Sequence, residues 1–151
     1  MMANPTQIDP RGPRFGATIT NVLSAIIFFE ALDKSTEGTG ALLFGIAAIL
    51  FLIGTVFGTS KHPFGWLYRT FVKPRLGAPT ELEDARPPQF AQAVGLFVSV
   101  IGLVLYFAAV PYGIAIAAAA LFLASALQAY VGFCLGCQMY LGLKRLGVFK
   151  A

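Results

Sequence analysis

The sequence is short of charge. Only 12% of its 151 residues are Asp, Glu, Lys or Arg, whereas about 25% is usual in a soluble domain. Hydrophobic residues make up 57% of the chain, and the mean hydropathy is +0.74. These values exclude an ordinary soluble globule, and the length is that of a single domain. The net charge of +4 does not indicate nucleic-acid binding, because the basic residues lie beside apolar runs rather than on a solvated face.

Residues with catalytic or metal-binding side chains are also scarce. The chain contains one histidine, His62, and two cysteines, Cys134 and Cys137. A serine-type triad has no further support, because the single histidine lies at a predicted membrane interface. A structural zinc ion takes four ligands, and these three residues fall short of that number. The sequence therefore predicts no bound cofactor, and the alternative is a zinc ion shared across a dimer.

Four long apolar runs are present, and none shows the alternation of a strand. A helix of about 20 residues crosses a hydrocarbon core of about 30 Å, and helices are the form that such runs take in lipid. We therefore predict an all-α protein of the lipid bilayer, with one domain and four transmembrane helices. The predicted spans are about residues 15–32, 41–57, 90–110 and 112–143, and a connector covers residues 58–89.

The basic residues predict an orientation. Ten of the 11 Lys and Arg residues lie in the N-terminal tail, the connector or the C-terminal segment, and Lys34 alone lies on the other side. Basic flanks of transmembrane helices usually stay in the cytoplasm. We expect a multi-pass protein of the plasma membrane with both termini in the cytoplasm. The Cys pair should then lie near the cytoplasmic boundary, in a compartment where structural disulfides are rare.

The connector has an amphipathic stretch, His62–Lys73, with aromatic residues on one helical face and basic residues nearby. This composition is typical of a helix in the headgroup region, and Pro74 is the expected end of that helix. The simplest interpretation is an interfacial anchor. A second hypothesis is a basic lip beside the cysteines that lowers a thiol pKa and docks a partner. The basic lip would consist of Lys61, His62, Arg69 and Lys73.

An internal duplication is visible when the chain is shifted by 75 residues. The segments Asp9–Phe15 and Asp84–Phe90 then share the pattern Asp-x-Arg-x-Pro-x-Phe. Each half would be a two-helix hairpin, and the halves would be related by an axis along the membrane normal. Similarity by chance, favoured by membrane composition, is the alternative. One further residue of slip places Cys134 over Gly58 and Cys137 over Lys61.

The two cysteines form a Cys-x-x-Cys sequence near the end of the last apolar run. A disulfide needs Cβ atoms about 3.5–4.5 Å apart, which is closer than a regular helix allows at this spacing. Gly132 and Gly136 would permit a break in the helix, and the freed backbone N–H groups would stabilise a thiolate. The functional hypothesis is a redox-active dithiol or a persulfide carrier, with Cys137 attacking and Cys134 resolving or storing sulfur. The alternative is two inert, buried side chains.

Four segments together resemble a known family. They are Ile8–Phe15, Tyr68–Leu76, Glu81–Gln92 and Gly132–Tyr140, the last of which contains Gly-Phe-Cys-Leu-Gly-Cys. The sequence resembles a group of small bacterial membrane proteins, common in actinobacteria, that is catalogued as a domain of unknown function. The resemblance implies a polytopic membrane protein with a recurrent Cys-x-x-Cys, and it brings no activity. Some members lie near genes for thioredoxin-like or sulfur-transfer proteins.

Three functions follow as hypotheses. The first is a cytoplasm-facing membrane thiol protein whose partner is a thioredoxin-like protein or a sulfurtransferase. The second is a non-catalytic accessory subunit or assembly factor of a larger membrane complex, in which the cysteines only pack. The third is a carrier of small sulfur species, with a pathway between the two halves.

Overall fold

The computed structural model describes residues 7–58, 61–78 and 80–147, and most of this part of the chain is helical. The all-α prediction is thus confirmed. The first half contains β1 (Gln7–Ile8), α1 (Arg11–Leu32) and α2 (Glu37–Phe57), followed by α3 (Pro63–Leu67), a π-helical turn (Tyr68–Val72) and α4 (Lys73–Leu76). The second half contains β2 (Glu83–Asp84), α5 (Arg86–Phe107), α6 (Gly113–Ala126), a second π-helical turn (Leu127–Val131) and α7 (Leu135–Arg145).

Four of these helices are long and apolar enough to cross a membrane. They are α1, α2, α5, and α6 with the π-helical turn that continues it. Their outer faces expose large apolar side chains, among them Phe29, Leu42 and Ile116. Such a surface is costly in water and is covered by lipid tails in a bilayer. The structure thus has the surface of an integral membrane protein.

The bundle is held together by contacts between the two halves. Helix α1 packs most extensively on α6, and α2 packs most extensively on α5. Ile27 and Phe44 are fully buried in the core between the helices. Small residues allow the close approach, since Gly102 lies directly against the Phe44 ring and the Ala117 methyl group. Packing of small residues against large ones is the usual basis of helix association in membranes.

The halves are related by an approximate two-fold axis. Strands β1 and β2 pair in antiparallel register, with Ile8 opposite Glu83. These two residues are 75 positions apart, so each lies opposite its own equivalent, as a two-fold axis requires. The buried serines Ser24 and Ser99 are also 75 positions apart. Because α1 and α5 begin at the same end of the bundle, the axis runs along the bundle, as the duplication predicts.

Each half also has a short helix after its second membrane helix. We call the continuous segment Pro63–Leu76 the connector helix; it contacts α1, while α7 contacts α5. The Phe15 and Tyr68 rings lie 6.0 Å apart in one half, and the Phe90 and Tyr140 rings lie 5.8 Å apart in the other. A short helix is therefore present in the predicted connector, and α7 is its counterpart in the second half.

Three details differ from the sequence-based expectations. The connector helix continues through Pro74 to Leu76, because a π-helical turn precedes the proline. The apolar run 112–143 is divided between a membrane helix that ends at Val131 and the separate helix α7. The alignment that placed Cys134 over Gly58 is wrong, because Gly58 matches Gly132 as the positive-φ residue after a membrane helix.

Candidate functional site

The Cys pair lies directly after a break in the chain's helical structure. The membrane helix ends in the π-helical turn, and Gly132 follows with φ of +81°. This backbone conformation suits glycine because it has no Cβ. The Phe133 N–H donates to the Leu127 carbonyl at 3.0 Å, which closes the end of the helix. Residues 132–134 are not helical, so the predicted break near Gly132 is confirmed.

Cys134 is the N-cap of α7. Its backbone is extended, with φ of −93° and ψ of 108°, and its sulfur accepts the Cys137 N–H at 3.1 Å. A disulfide joins Cys134 to Cys137, and both residues are half-buried. The first N–H groups of a helix have no partner within the helix and carry a partial positive charge. The break therefore brings both sulfurs to a place that favours negative charge.

A cation from the other half approaches this break. The Arg14 Nη2 group donates to the Ala129 carbonyl at 3.3 Å, and a Cβ at Gly132 would lie 3.8 Å from Arg14 Cζ. At the equivalent place in the other half, Gln89 Nε2 donates to the Thr55 carbonyl at 2.8 Å. The break beside the cysteines is thus approached by an arginine of the first half, whereas the corresponding break in the first half is approached by a glutamine of the second. Sequence reasoning used Arg14 only for orientation, since nothing in the sequence links α1 to a residue so distant.

His62 occupies the position in its half that Cys134 occupies in the other. It is the N-cap of α3, and its Nδ1 atom accepts the Phe64 N–H at 3.1 Å. Only 5% of the residue is exposed, and this burial lowers the pKa of the imidazole, against a hydrogen bond to the Leu50 carbonyl that raises it. His62 therefore acts as a neutral cap and not as a cation of the basic lip.

The other members of the basic lip lie on or just before the connector helix. Arg69 and Lys73 line the same cavity as His62, and Arg69 is also exposed to the surroundings, as is Lys61. Within residues 7–58, 61–78 and 80–147, no three His, Cys, Asp or Glu side chains lie close enough together to hold a metal ion. His62 and the two cysteines thus do not form a common metal site within one chain.

A polar network joins the segment just before α1 to the connector helix in the first half. The Asp9 carboxylate accepts hydrogen bonds from the Arg11 backbone and guanidinium and from the Tyr68 hydroxyl, the last at 2.6 Å. The Arg11 hydrogen bonds lower the pKa of Asp9 to about 2, although burial opposes the shift. Burial and the hydrogen bond to Asp9 raise the pKa of Tyr68 to about 12. Asp84 binds Arg86 in the same way in the second half.

From this network we predict that the free energy of unfolding depends on pH in two ranges, one acidic and one alkaline. The Asp9 pKa falls from 3.8 on folding, so its contribution of about 2 kcal/mol is present above pH 3.8 and is lost as the pH falls through 2. The Tyr68 pKa rises from 10.0, so its contribution is present below pH 10.0 and is lost as the pH rises through 12. Thermal unfolding in detergent across both ranges measures them. Asp9→Asn should remove the acid window, and Tyr68→Phe should remove the alkaline one; unchanged profiles would contradict the assignment.

A central cavity of about 380 Å³ lies between the halves. Helices α1 and α5 face each other across it with equivalent residues, for example Gly16 and Ala91, or Leu23 and Val98. One end lies beneath β1 and the connector helix, and the other reaches the apolar centre of the bundle. A volume of this size is within the range of small-molecule pockets.

The fold and this site define a helical membrane protein with a Cys-x-x-Cys at the start of a short helix that follows the fourth membrane helix. The model of the family described as a domain of unknown function (DUF4395) matches residues 8–145. The chain therefore belongs to this family, which confirms the family resemblance seen in the sequence. No curated protein and no solved structure matched the chain.

Proposed function

We propose that the protein is a membrane thiol–disulfide exchange protein that uses Cys134 and Cys137. One observation carries the proposal: the Cys134 sulfur caps α7 and accepts the Cys137 N–H at 3.1 Å. Thiols at helix N-termini have lowered pKa values and react as thiolates. The same segment forms a disulfide between its own two cysteines, so the oxidised pair needs no cysteine from another chain.

The capping hydrogen bond supports Cys134 as the attacking thiolate. The sequence assigned attack to Cys137, because that residue was expected nearer to water. Both residues are half-buried, and the N–H group points at the Cys134 sulfur. We therefore reverse the two roles, so that Cys137 resolves.

The exchange consists of two displacements. The Cys134 thiolate attacks a disulfide sulfur of the partner, forms a mixed disulfide and releases one partner thiolate. The Cys137 thiolate then attacks the Cys134 sulfur, forms the intramolecular disulfide and releases the second partner thiolate. The dithiol loses two electrons and the partner disulfide gains them. A sulfane-sulfur donor would react in the same order. The Cys134 thiolate takes the outer sulfur and releases the donor thiolate, and the Cys137 thiolate then attacks the Cys134 sulfur and displaces hydrosulfide.

We place this end of the bundle in the cytoplasm, because ten of the 11 basic residues belong to its segments. The partner class is then a soluble thioredoxin-like protein or a sulfurtransferase. It would reach the Cys pair from the headgroup level, beside α7 and the connector helix. The exposed Lys61 and Arg69 offer a basic surface there.

The test is the pH dependence of alkylation in vesicles of defined orientation. In reduced Cys137→Ser, Cys134 should be half-maximally reactive well below the free-thiol pKa of about 8.5. In reduced Cys134→Ser, Cys137 should titrate near that value, so that at pH 7 the first variant reacts roughly tenfold faster. Labelling should occur only from the cytoplasmic side. Identical profiles would contradict the role of the helix N-terminus, and no labelling before the membrane is dissolved would favour the accessory-subunit hypothesis.

Arg14→Gln provides a matched control for the same measurement, because it copies the residue of the other half. Removing the cation should slow Cys134 alkylation at pH 7 about threefold, since Arg14 is exposed and screened by solvent. The difference from wild type should shrink at high salt. Arg14→Lys should retain most of the wild-type rate.

A further inference from the structure

We infer that the central cavity binds a single-chain amphiphile with an anionic head, of the class of long-chain fatty acids and lysophospholipids. This inference does not depend on the proposed thiol function, because neither cysteine lines the cavity. The observation behind it is a pair of cations at one end of a mainly apolar space. Arg69 and Lys73 of the connector helix both line the cavity, and in the part of the chain that the structure describes neither forms an ion pair.

The charges of these two side chains are not balanced inside the cavity. Asp9 is the one acidic residue among the described residues that line the space. Its carboxylate already accepts hydrogen bonds from the Arg11 guanidinium at 2.8 Å and from the Tyr68 hydroxyl at 2.6 Å. His62 lines the same cavity, but burial lowers the pKa of its imidazole, so it adds no positive charge at neutral pH. The end beneath the connector helix therefore carries two positive charges that an anionic group can neutralise.

The position of the two cations distinguishes them from basic residues that only meet the membrane surface. Arg75 of the same helix is exposed and does not line the cavity, as expected for a side chain that reaches headgroups outside the bundle. In α7, the two equivalent positions, matched as His62 is to Cys134, hold Leu141 and Arg145, and neither lines the cavity. Both lining cations thus come from the first half, which gives the cavity a single charged end.

The inner part of the lining suits a hydrocarbon chain. Each of the four membrane helices contributes a large apolar side chain to it, namely Leu23, Phe51, Val98 and Leu121. Water is poorly held in an apolar space, and an empty space forfeits the contacts of its walls. The volume of about 380 Å³ is at the lower end of the range of ligand pockets. This size favours one acyl chain over the two chains of a phospholipid.

The two parts of the cavity together define the ligand. A soluble anion would neutralise the cations but leave the apolar part unfilled, and a neutral chain would leave the cations without a partner. A chain with a carboxylate or phosphate head satisfies both parts. The Arg69 guanidinium can bind either head through two parallel hydrogen bonds, while the Lys73 ammonium acts as a point charge. Each methylene group that enters the inner part adds to the affinity.

Binding is tested by native mass spectrometry of the whole protein, delipidated in a neutral detergent. Oleate and oleoyl lysophosphatidylglycerol are the probes with a carboxylate and a phosphate head, and monoolein is the neutral probe. An anionic probe should saturate as a one-to-one complex, and monoolein should bind about tenfold more weakly. Tighter binding of oleate would assign the site to fatty acids, and tighter binding of the phosphate probe would assign it to lysophospholipids. Equal binding of monoolein, or addition of all probes without saturation, would overturn the inference.

Variants locate the two parts of the ligand. Arg69→Gln/Lys73→Gln should weaken the anionic probes about tenfold and leave monoolein unchanged. Arg75→Gln/Arg145→Gln is the matched control, because it removes the same charge from exposed residues outside the cavity, and it should bind as the wild type does. Val98→Phe should fill the inner part and abolish binding of the oleoyl chain, with thermal unfolding as the check of its fold. Equal losses in the two charge variants would overturn the cavity site in favour of general surface attraction, and they decide the question if Val98→Phe does not fold. Unchanged binding in a folded Val98→Phe would place the chain elsewhere and overturn the inference.

Discussion

Reduced wild-type protein is expected to release two equivalents of thiopyridone from dithiodipyridine and to keep no adduct. Cys137→Ser should release one equivalent and keep the pyridyl adduct on Cys134. Cys134→Ser should react slowly at pH 7, because its remaining thiol lacks the capping position. The measurement is absorbance for the released thiopyridone and intact mass for the adduct.

The reason for the difference is the order of the two displacements. The sulfur that attacks first is the one stabilised by the N–H group at 3.1 Å, which is the Cys134 sulfur. The second sulfur lies close enough to complete the exchange, as the observed disulfide requires. Cys134→Ser thus loses the first displacement, and Cys137→Ser loses the second. A stable adduct on Cys137 in the wild type would contradict this order, and an absence of release before denaturation would contradict the reactivity of the pair.

The second large effect is expected at Gly136, which fixes α7 against α5. A Cβ at Gly136 would lie 2.5 Å from the Ala91 Cβ, so Gly136→Ala must push the helix away. We expect a loss of about 1–3 kcal/mol of stability and a faster reduction of the disulfide by dithiothreitol. Gly142→Ala is the matched control in the same helix, because a Cβ there meets nothing within 4 Å. It should stabilise the protein by about 0.5–1 kcal/mol, since alanine favours a helix.

Gly136 also lies between the two cysteines, so Gly136→Ala changes the segment that forms the disulfide. A second variant, at Ala91, separates this direct effect from the lost contact between α7 and α5. Ala91→Gly removes the methyl group that Gly136→Ala would meet at 2.5 Å, but the Cα of residue 91 would still lie 2.6 Å from the new Cβ. The double variant should therefore regain only part of the docking that Gly136→Ala loses, which appears as a coupling energy in a double-mutant cycle. Additive losses would show that the Ala91 methyl group is not part of the clash. Thermal unfolding and the dithiothreitol rate provide the two readouts.

The membrane architecture was predictable from the sequence because it follows from hydrophobic length and charge. The duplicated Asp-x-Arg-x-Pro-x-Phe pattern also predicted equivalent structure. In both copies the aspartate, one residue before the N-cap, accepts the backbone N–H of the first helical residue, which is Arg11 in the first copy and Arg86 in the second. The break at Gly132 was predictable because one glycine precedes the Cys-x-x-Cys and a second, Gly136, lies within it. These features depend on short segments of the chain.

The features that were missed depend on distant contacts. The apolar run 112–143 was predicted as one span, since hydropathy does not show where one helix ends and a separate helix begins. Gly132 and the docking of Gly136 on Ala91 decide that point. The approach of Arg14 to the break at Gly132 depends on the packing of α1 against α6. No spacing in the sequence encodes that packing, so the basic lip was sought in the connector instead.

The main contacts of each hairpin are with the other hairpin, and this has a consequence for biosynthesis. Helix α1 finds its main neighbour, α6, only in the second hairpin, and β1 pairs with a strand that begins at Glu83. When the ribosome has completed the first hairpin, that hairpin has entered the bilayer with its principal contact surfaces facing lipid. The first half must therefore wait as an unpaired intermediate until the second half is made. We therefore expect assembly to be a single closure of two preformed hairpins, with the Cys134–Cys137 bond formed in the second of them.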